Sequence, residues 1–432
     1  MLGDDLPHDW EYSPLRKVVL KFLNGGTPST AHPDYWNGTI PWITGADAEQ
    51  RVTLTARKHV SEKGVRESST NIVPKGNILL VTRTGVGKVS IAGVDVAISQ
   101  DLTGVIPNRE LVDANYLQRQ LFRLGPALRR QAQGTIIQGI ERQQVESLRV
   151  PLPLVPEQRR IAAVLDTMDE AITRSEAVIA KFKQVRVGLL HDLLTCGVDE
   201  NGELRDPVAH AERFKETLFG ALPCTWDISS LDDACEVLRD GTHLPPKRVE
   251  NGPLLLSVQN MSDGILVQTN ADTRVSWEFY RTMHRSWEIR EGDVCLAIVG
   301  ATLGKTAVVP RLPPFTVQRS LAVLRGRERR LRNPFLYLYL SSPPLQRLLW
   351  QNANQTAQPG LYLASLGKVA IPIPHVDEQD AIADCARAIQ SHIDTEMQNL
   401  SKLTGIRAGL TDDLLTGRIK VLESLSAMGA QA

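Results

Sequence analysis

The 432 residues carry 49 Lys and Arg against 49 Asp and Glu and are 42% hydrophobic, without an apolar run of bilayer length, so no helical membrane span is expected. Five irregularly spaced cysteines (Cys196, Cys224, Cys235, Cys295 and Cys385) argue against a disulfide framework or zinc site. The acidic opening "MLGDDLPHDWEY" lacks the basic head and apolar core of a signal peptide, so a cytoplasmic protein of two or more domains is expected.

In chain order, residues 1–150 hold a landmark "LPHDW" at 6–10 and a glycine-rich turn at 24–29. Short β-prone runs follow, including "NILLVT" and "KVSIAGVDVAIS", and then a helical stretch at 113–131. A compact α/β domain is the expectation. "VPLPLVPEQRRIA" at 150–162 opens a segment, 151–198, whose apolar positions fall at steps of four and three: Ile161, Leu165, Met168, Ile172 and Ile179. That spacing predicts one helix over 157–195, about 39 residues and roughly 58 Å long. A polar linker fills 199–220. Residues 221–373 then form a second α/β domain, 374–420 a second long helix, and 421–432 a tail. The second helix has its own stripe, Ile382, Ile389, Ile393, Leu400 and Leu403.

The second half rewrites the first. "LPHDW" returns as "LPCTW" at 222–226, "VPKGNILLVTRTGVGKVSI" at 73–91 as "IREGDVCLAIVGATLGKTAVV" at 289–309, and "PEQRRIA" as "DEQDAIA". Six such blocks recur in the same order, which chance does not produce. Charge follows the same division. The two front blocks hold 18 basic against 15 acidic and 17 against 13, and the two rear segments 9 against 12 and 5 against 9. Two copies of one helix in one chain can pair antiparallel, so an intramolecular coiled coil is expected, with a front domain at each end.

"GATLGKT" at 300–306 imitates a nucleotide-binding loop, but Gly300 and the Gly304-Lys305 pair are one residue too close for that pattern. Gly87-Lys88 is its repeat partner, and the turn glycines Gly85, Gly87, Gly300 and Gly304, with Gly25, Gly26 and Gly241, read as conformational. The short frame weakens the ATP reading and leaves the repeated lysine open to another phosphate partner.

The Gly-Gly-Thr-Pro-Ser turn at 25–29, "KGNILLVTRTGVGK" at 75–88, "PLPLVPEQRRIA" at 151–162, the "LLT" helix ends and the tandem layout together resemble the specificity subunit of type I restriction–modification systems. The second copy departs from the turn pattern, with Asp240-Gly241-Thr242-His243. The resemblance implies two target-recognition domains separated by two long antiparallel helices. It also implies a non-catalytic chain that recognises a bipartite, asymmetric site in double-stranded DNA, where a lysine on a tight turn suits a DNA phosphate better than ATP. The candidate DNA contacts are then Arg83, Thr84, Lys88 and Gln100 in the first copy and Lys305, Gln318 and Arg319 in the second. Two modification subunits using S-adenosylmethionine would methylate adenine there, and restriction subunits would use ATP and Mg. Glu157, Gln158, Glu378 and Gln379, at the repeated helix starts, are the expected exposed docking or capping residues. No cofactor is expected in this chain: it has no complete Asn/Asp-Pro-Pro-aromatic tetrad and no zincin histidine pair. The alternatives are a standalone methyltransferase or nuclease, which would bind a methyl donor unaided, and a purely structural helical adaptor, which would bind no DNA.

Overall fold

A computed structural model describes residues 6–133, 139–242, 245–354 and 359–421. The expected tail beyond Val421, and His243 in the second glycine turn, lie outside the described residues. The chain divides into two units, one formed by residues 1–176 with 398–432 and the other by 177–397.

In the first unit, strands Val19–Asn24, Leu102–Pro107, Ile78–Val81, Val89–Ala92 and Val52–Thr53 form one sheet in that order. A second sheet orders Lys58–Val60, Ile40–Ile43, Val96–Ile98 and Asn71–Val73. "ILLV" at 78–81 is buried on both faces, which is why it reads as an unbroken apolar run. One side packs on Leu23, Ile43 and Val73 and the other on a helix, Ala114–Gln133, through Tyr116, Leu117 and Leu121. The domain is closed where Glu11–Pro14 pairs antiparallel with Arg149–Leu152, directly before the first long helix, Val155–Thr195.

The second unit repeats this plan. Its main sheet orders Cys235–Asp240, Leu321–Gly326, Val294–Ala297, Thr306–Val308, Ile265–Leu266 and Met261–Ser262. Asp227–Ser230 pairs with Ala370–Ile373 just before the second long helix, Val376–Thr416. Residues 333–351 form two helices, Asn333–Leu340 and Pro343–Gln351, the second opening on Pro343 and Pro344. The expected linker at 199–220 runs into an antiparallel hairpin, Phe214–Thr217 with Gly220–Pro223, that crosses the expected domain boundary.

Each long helix has 41 residues and contributes part of itself to both units. Within the first unit, Ile161 and Leu165 pack in one core with Leu414 and Leu415, and Asp169 meets Arg407 at 2.9 Å. Within the second, Leu193 and Leu194 share a core with Ile382, Phe182 stacks on His392, and Arg186 donates to Gln390 at 2.5 Å. In each unit the numbering rises along one helix as it falls along the other, so the pairing is antiparallel.

The apolar stripe is only partly covered. Ile161, Leu165, Ile179, Ile382 and Ile393 are buried, while Met168, Ile172, Ile389, Leu400 and Leu403 are half-buried. Val185, Val187, Met397 and Ile406 stand exposed. Two helices can bury a narrow seam against each other, but not the wider apolar face that a domain core covers.

Candidate nucleic-acid interface

The turns that hold the candidate DNA contacts meet at one edge of each front domain. In the first, the backbone N–H groups of Thr82 and Arg83 both donate to the Asp101 carbonyl, at 2.8 and 3.2 Å. Thr27 donates its hydroxyl to the Gln100 side-chain oxygen, and Trp42 donates to the Gly26 carbonyl at 3.0 Å. Arg83, Thr84, Gln100 and the 25–29 turn are thereby gathered from three separate stretches of sequence. Arg83, Thr84 and Gln100 are exposed, and the Arg83 guanidinium has no partner among the described residues.

The second unit reproduces this scaffold with different side chains. Ile298 N–H donates to the Ser320 carbonyl at 2.9 Å, and Thr242 N–H to the Val317 carbonyl at 3.1 Å. Arg319 is exposed and unpaired among the described residues, with Gln318 half-buried beside it. Glycine is required at two matching places. A Cβ on Gly25 would lie 1.8 Å from the Ser99 carbonyl oxygen, and one on Gly241 1.9 Å from that of Val317. Gly87 and Gly304 have φ of 85° and 90°, and each abuts the helical region behind it, at Gly125 and Gln346 respectively. Gly85 and Gly300, with φ of 90° and 80°, turn the chain in the left-handed region.

The two lysines are more engaged than their neighbours. Lys88 donates to the Gly45 carbonyl at 3.4 Å and pairs with Glu49 at 3.2 Å, while Lys305 donates to the Met261 carbonyl at 2.5 Å. Both ammonium groups hold a preceding loop. That common anchoring role gives the repeated Gly-Lys pair a structural reason in both copies.

Sequence reasoning missed the aromatic surfaces. Lys58 lies 5.4 Å from the Trp36 ring centre and Lys63 5.8 Å from that of Tyr35. In the second unit, Trp277, Tyr280, His284 and Trp287 form a chain of ring contacts beside exposed Arg281 and Arg285. Burial holds the His284 imidazole below its ordinary pKa, so this cluster owes its positive charge to the arginines. The interleaving of Trp, Tyr and Arg in "SWEFYRTMHRSWEIR" was the available signal.

The four expected docking residues require a correction, because they point inward. Gln158 and Gln379 are fully buried. Gln158 accepts from Asp113 N–H at 2.8 Å and donates to the carbonyls of Pro153 and Leu111 at 2.8 and 3.1 Å. Gln379 accepts from Arg332 N–H and donates to the carbonyls of Arg330 and Pro374, all at 2.8 Å. Glu157 accepts from Trp10 at 3.2 Å, and Glu378 from Trp226 at 3.0 Å while pairing with Arg205. These side chains bolt each helix start to its own domain. The repeated Trp and the repeated Glu-Gln are the two halves of that bolt.

Among the described residues no helix is long and apolar enough to cross a membrane. No group of three or more His, Cys, Asp or Glu side chains among them is placed to hold a metal.

Comparison with known proteins adds a family. The type I restriction modification DNA specificity domain matches twice, at residues 7–183 and 223–404. The MjaVIII specificity subunit of Methanocaldococcus jannaschii is 23% identical, covering 98% of this chain and 95% of its own. The EcoR124I/EcoR124II specificity subunit of Escherichia coli is 29% identical over 41% of this chain and 46% of its own. Among solved structures, a subunit from Thermoanaerobacter tengcongensis matches with a TM-score of 0.55, and the S subunit of a type I restriction–modification system from M. genitalium with 0.54. Each is 18% identical and covers 96% of this chain and 98% of its own, which is a likeness of fold.

Proposed function

The chain belongs to the type I restriction–modification DNA specificity family, and from that membership we propose that its two front domains read two unlike halves of one bipartite DNA site. As a specificity subunit it binds DNA sequence-specifically and selects the target for partner subunits, without catalysing their reactions. The observation that carries the proposal is a repeated scaffold with different exposed side chains. The Arg83-Thr84 turn of the first copy is matched by Val299-Gly300 in the second, and Gln100-Asp101 by Arg319-Ser320. Equal frames place contacts equivalently, while unlike side chains read unlike base edges.

The partners follow from the same reading. Two modification subunits dock on the helical body and adjoining domain surfaces, bringing S-adenosylmethionine for adenine methylation, and restriction subunits bring ATP and Mg. The half-buried stripe and exposed Val185, Val187, Met397 and Ile406 support docking there, in place of the inward-facing helix starts.

In a complex reconstituted with modification subunits, mapped methylated adenines should define two fixed half-sites at one separation. Inserting one heptad at matched points of both long helices should change that separation and leave both half-sites intact. An unchanged separation would refute the helices as the ruler, and methylation by this chain alone would refute its non-catalytic role.

Arg83 and Arg319 are the strongest phosphate candidates, being exposed and without a partner among the described residues. Replacing either with alanine in the complex should weaken related DNA sequences about equally and lower the salt slope by roughly one phosphate. Lys88→Ala and Lys305→Ala should alter the slope less, because those ammonium groups are already engaged. A titration of affinity against salt distinguishes the two classes, and equal slopes for all four variants would reject the distinction.

A further inference from the structure

The two units differ in charge where the front domain faces its helices. In the first unit this space is filled by charge. Arg119, only 4% exposed, reaches Asp166 at 2.5 Å and Asp169 at 2.7 Å. Arg51 joins Asp166 at 3.2 Å, and Arg407 joins Asp169 at 2.9 Å.

The repeat says what stands in each place in the second unit. Gln158 holds the backbone N–H of Asp113 as Gln379 holds that of Arg332, which matches Arg119 with Leu338. The same glutamines set the helix register, matching Asp166 with Arg387 and Asp169 with Gln390. Arg51 precedes the strand residue paired with Ile91, as Gly264 precedes the one paired with Val308. Both carboxylates and two of the three guanidiniums are therefore lost, and Arg387 stands in a carboxylate position. What remains is a cavity of about 840 Å³ lined by Arg186, Tyr337, Leu338, Ala386, Arg387 and Gln390 among others.

Arg186 is the counterpart of Arg407, and it has kept its charge while losing its carboxylate. It donates to the neutral Gln390 amide oxygen, and its Nε is enclosed without an acceptor among the described residues. Among the described residues Arg387 is neutralised by Asp384 alone, at 2.8 Å on the exposed helix surface. The acidic groups lining the cavity are Asp263, which accepts from Ser262, and Asp394, which accepts from Gln390. A half-buried guanidinium with a buried, vacant donor calls for a carboxylate. Apolar walls and the exposed Val185 and Val187, on the same turn as Arg186, call for that carboxylate on a polypeptide segment rather than on a small ion.

We propose that this groove receives an acidic side chain on an apolar segment of a modification subunit, and that the first unit, filled by its own ion pairs, has no such socket. The inference rests on the reading that modification subunits dock on the helical body, and it makes the two docking surfaces unequal.

The test compares the full wild-type chain with two variants, each titrated with purified modification subunit and weighed by native mass spectrometry. Leu338→Arg combined with Gln390→Asp restores the first unit's ion pair inside the groove. Arg186→Gln removes the anion's partner without filling the space. Either change should weaken one docking event roughly 30-fold or more, leaving one modification subunit fewer than the wild type at limiting concentration. Unchanged affinity and stoichiometry in both variants would overturn the proposal. Failure of the wild type to bind any modification subunit would instead overturn the docking reading beneath it. Should the double variant melt below the wild type, the result for Arg186→Gln decides.

Discussion

Glu378→Gln is expected to destabilise the second unit by about 3 kcal/mol or more, whereas Glu157→Gln at the matching position of the first should cost about 1 kcal/mol. Both carboxylates accept from a repeated tryptophan, a bond that an amide oxygen can still accept. Only Glu378 also neutralises a guanidinium. Arg205 and Glu378 have side chains 16% and 10% exposed, and Glu378 further accepts from Val198 N–H at 3.1 Å. The glutamine would leave Arg205 enclosed and uncompensated, the circumstance in which a broken ion pair is most costly. Calorimetric melts at neutral pH, analysed transition by transition because two units need not melt together, provide the comparison. Equal losses for the two variants would show that the Arg205 pair contributes nothing.

Arg119→Ala should destabilise the first unit by about 2–3 kcal/mol, since it removes two charge-assisted bonds and leaves the part-exposed Asp166 and Asp169 side by side, balanced among the described residues by Arg51 and Arg407. The same variant should change the unit's response to acid. Burial by itself would raise the Asp169 pKa, but the hydrogen bond and charge of Arg119, with those of Arg407, outweigh it and hold the carboxyl below its usual range. A depressed folded-state pKa contributes stability that is fully present above the unfolded value, near 3.9, and lost as pH falls through the folded value. The wild type therefore keeps this contribution to below about pH 4. Without Arg119 most of it is gone at every pH, and the acid-unfolding midpoint should move upward. Identical acid-unfolding curves for Arg119→Ala and the wild type would assign the network no role in acid stability.

The duplicated plan and both long helices are legible in the sequence because they are periodic or repeated. "PEQRRIA" and "DEQDAIA" mark the helix starts to within two residues. What a single sequence does not display is which way a polar residue faces at such a start. Glu157, Gln158, Glu378 and Gln379 look like surface residues by type, yet loop carbonyls and N–H groups from distant segments consume their polar atoms. Arg119 and Asp166 pose the same difficulty, as each is ordinary on its own helix and becomes a part-buried pair only when the helices meet. The groove of the second unit is harder still to read. It arises from coordinated differences at Gly264, Leu338, Arg387 and Gln390, none unusual singly.

The first unit is discontinuous, whereas the second lies wholly within the insertion 177–397. That order has a consequence during synthesis. Ile161 and Leu165 leave the ribosome long before Leu414 and Leu415, which complete their core. The Gln120 amide likewise waits for the Leu415 carbonyl, to which it donates at 2.7 Å. With about 250 residues still to be made at 5–20 residues per second, the nascent first domain shows an unfinished apolar helix face for roughly 10–50 s. The second domain has both of its helix partners by the time residue 397 emerges, so it can close first although it is encoded later. In a polysome, neighbouring chains present the same uncovered face at the same time, and the intervening domain's speed of closure sets how long that hazard lasts.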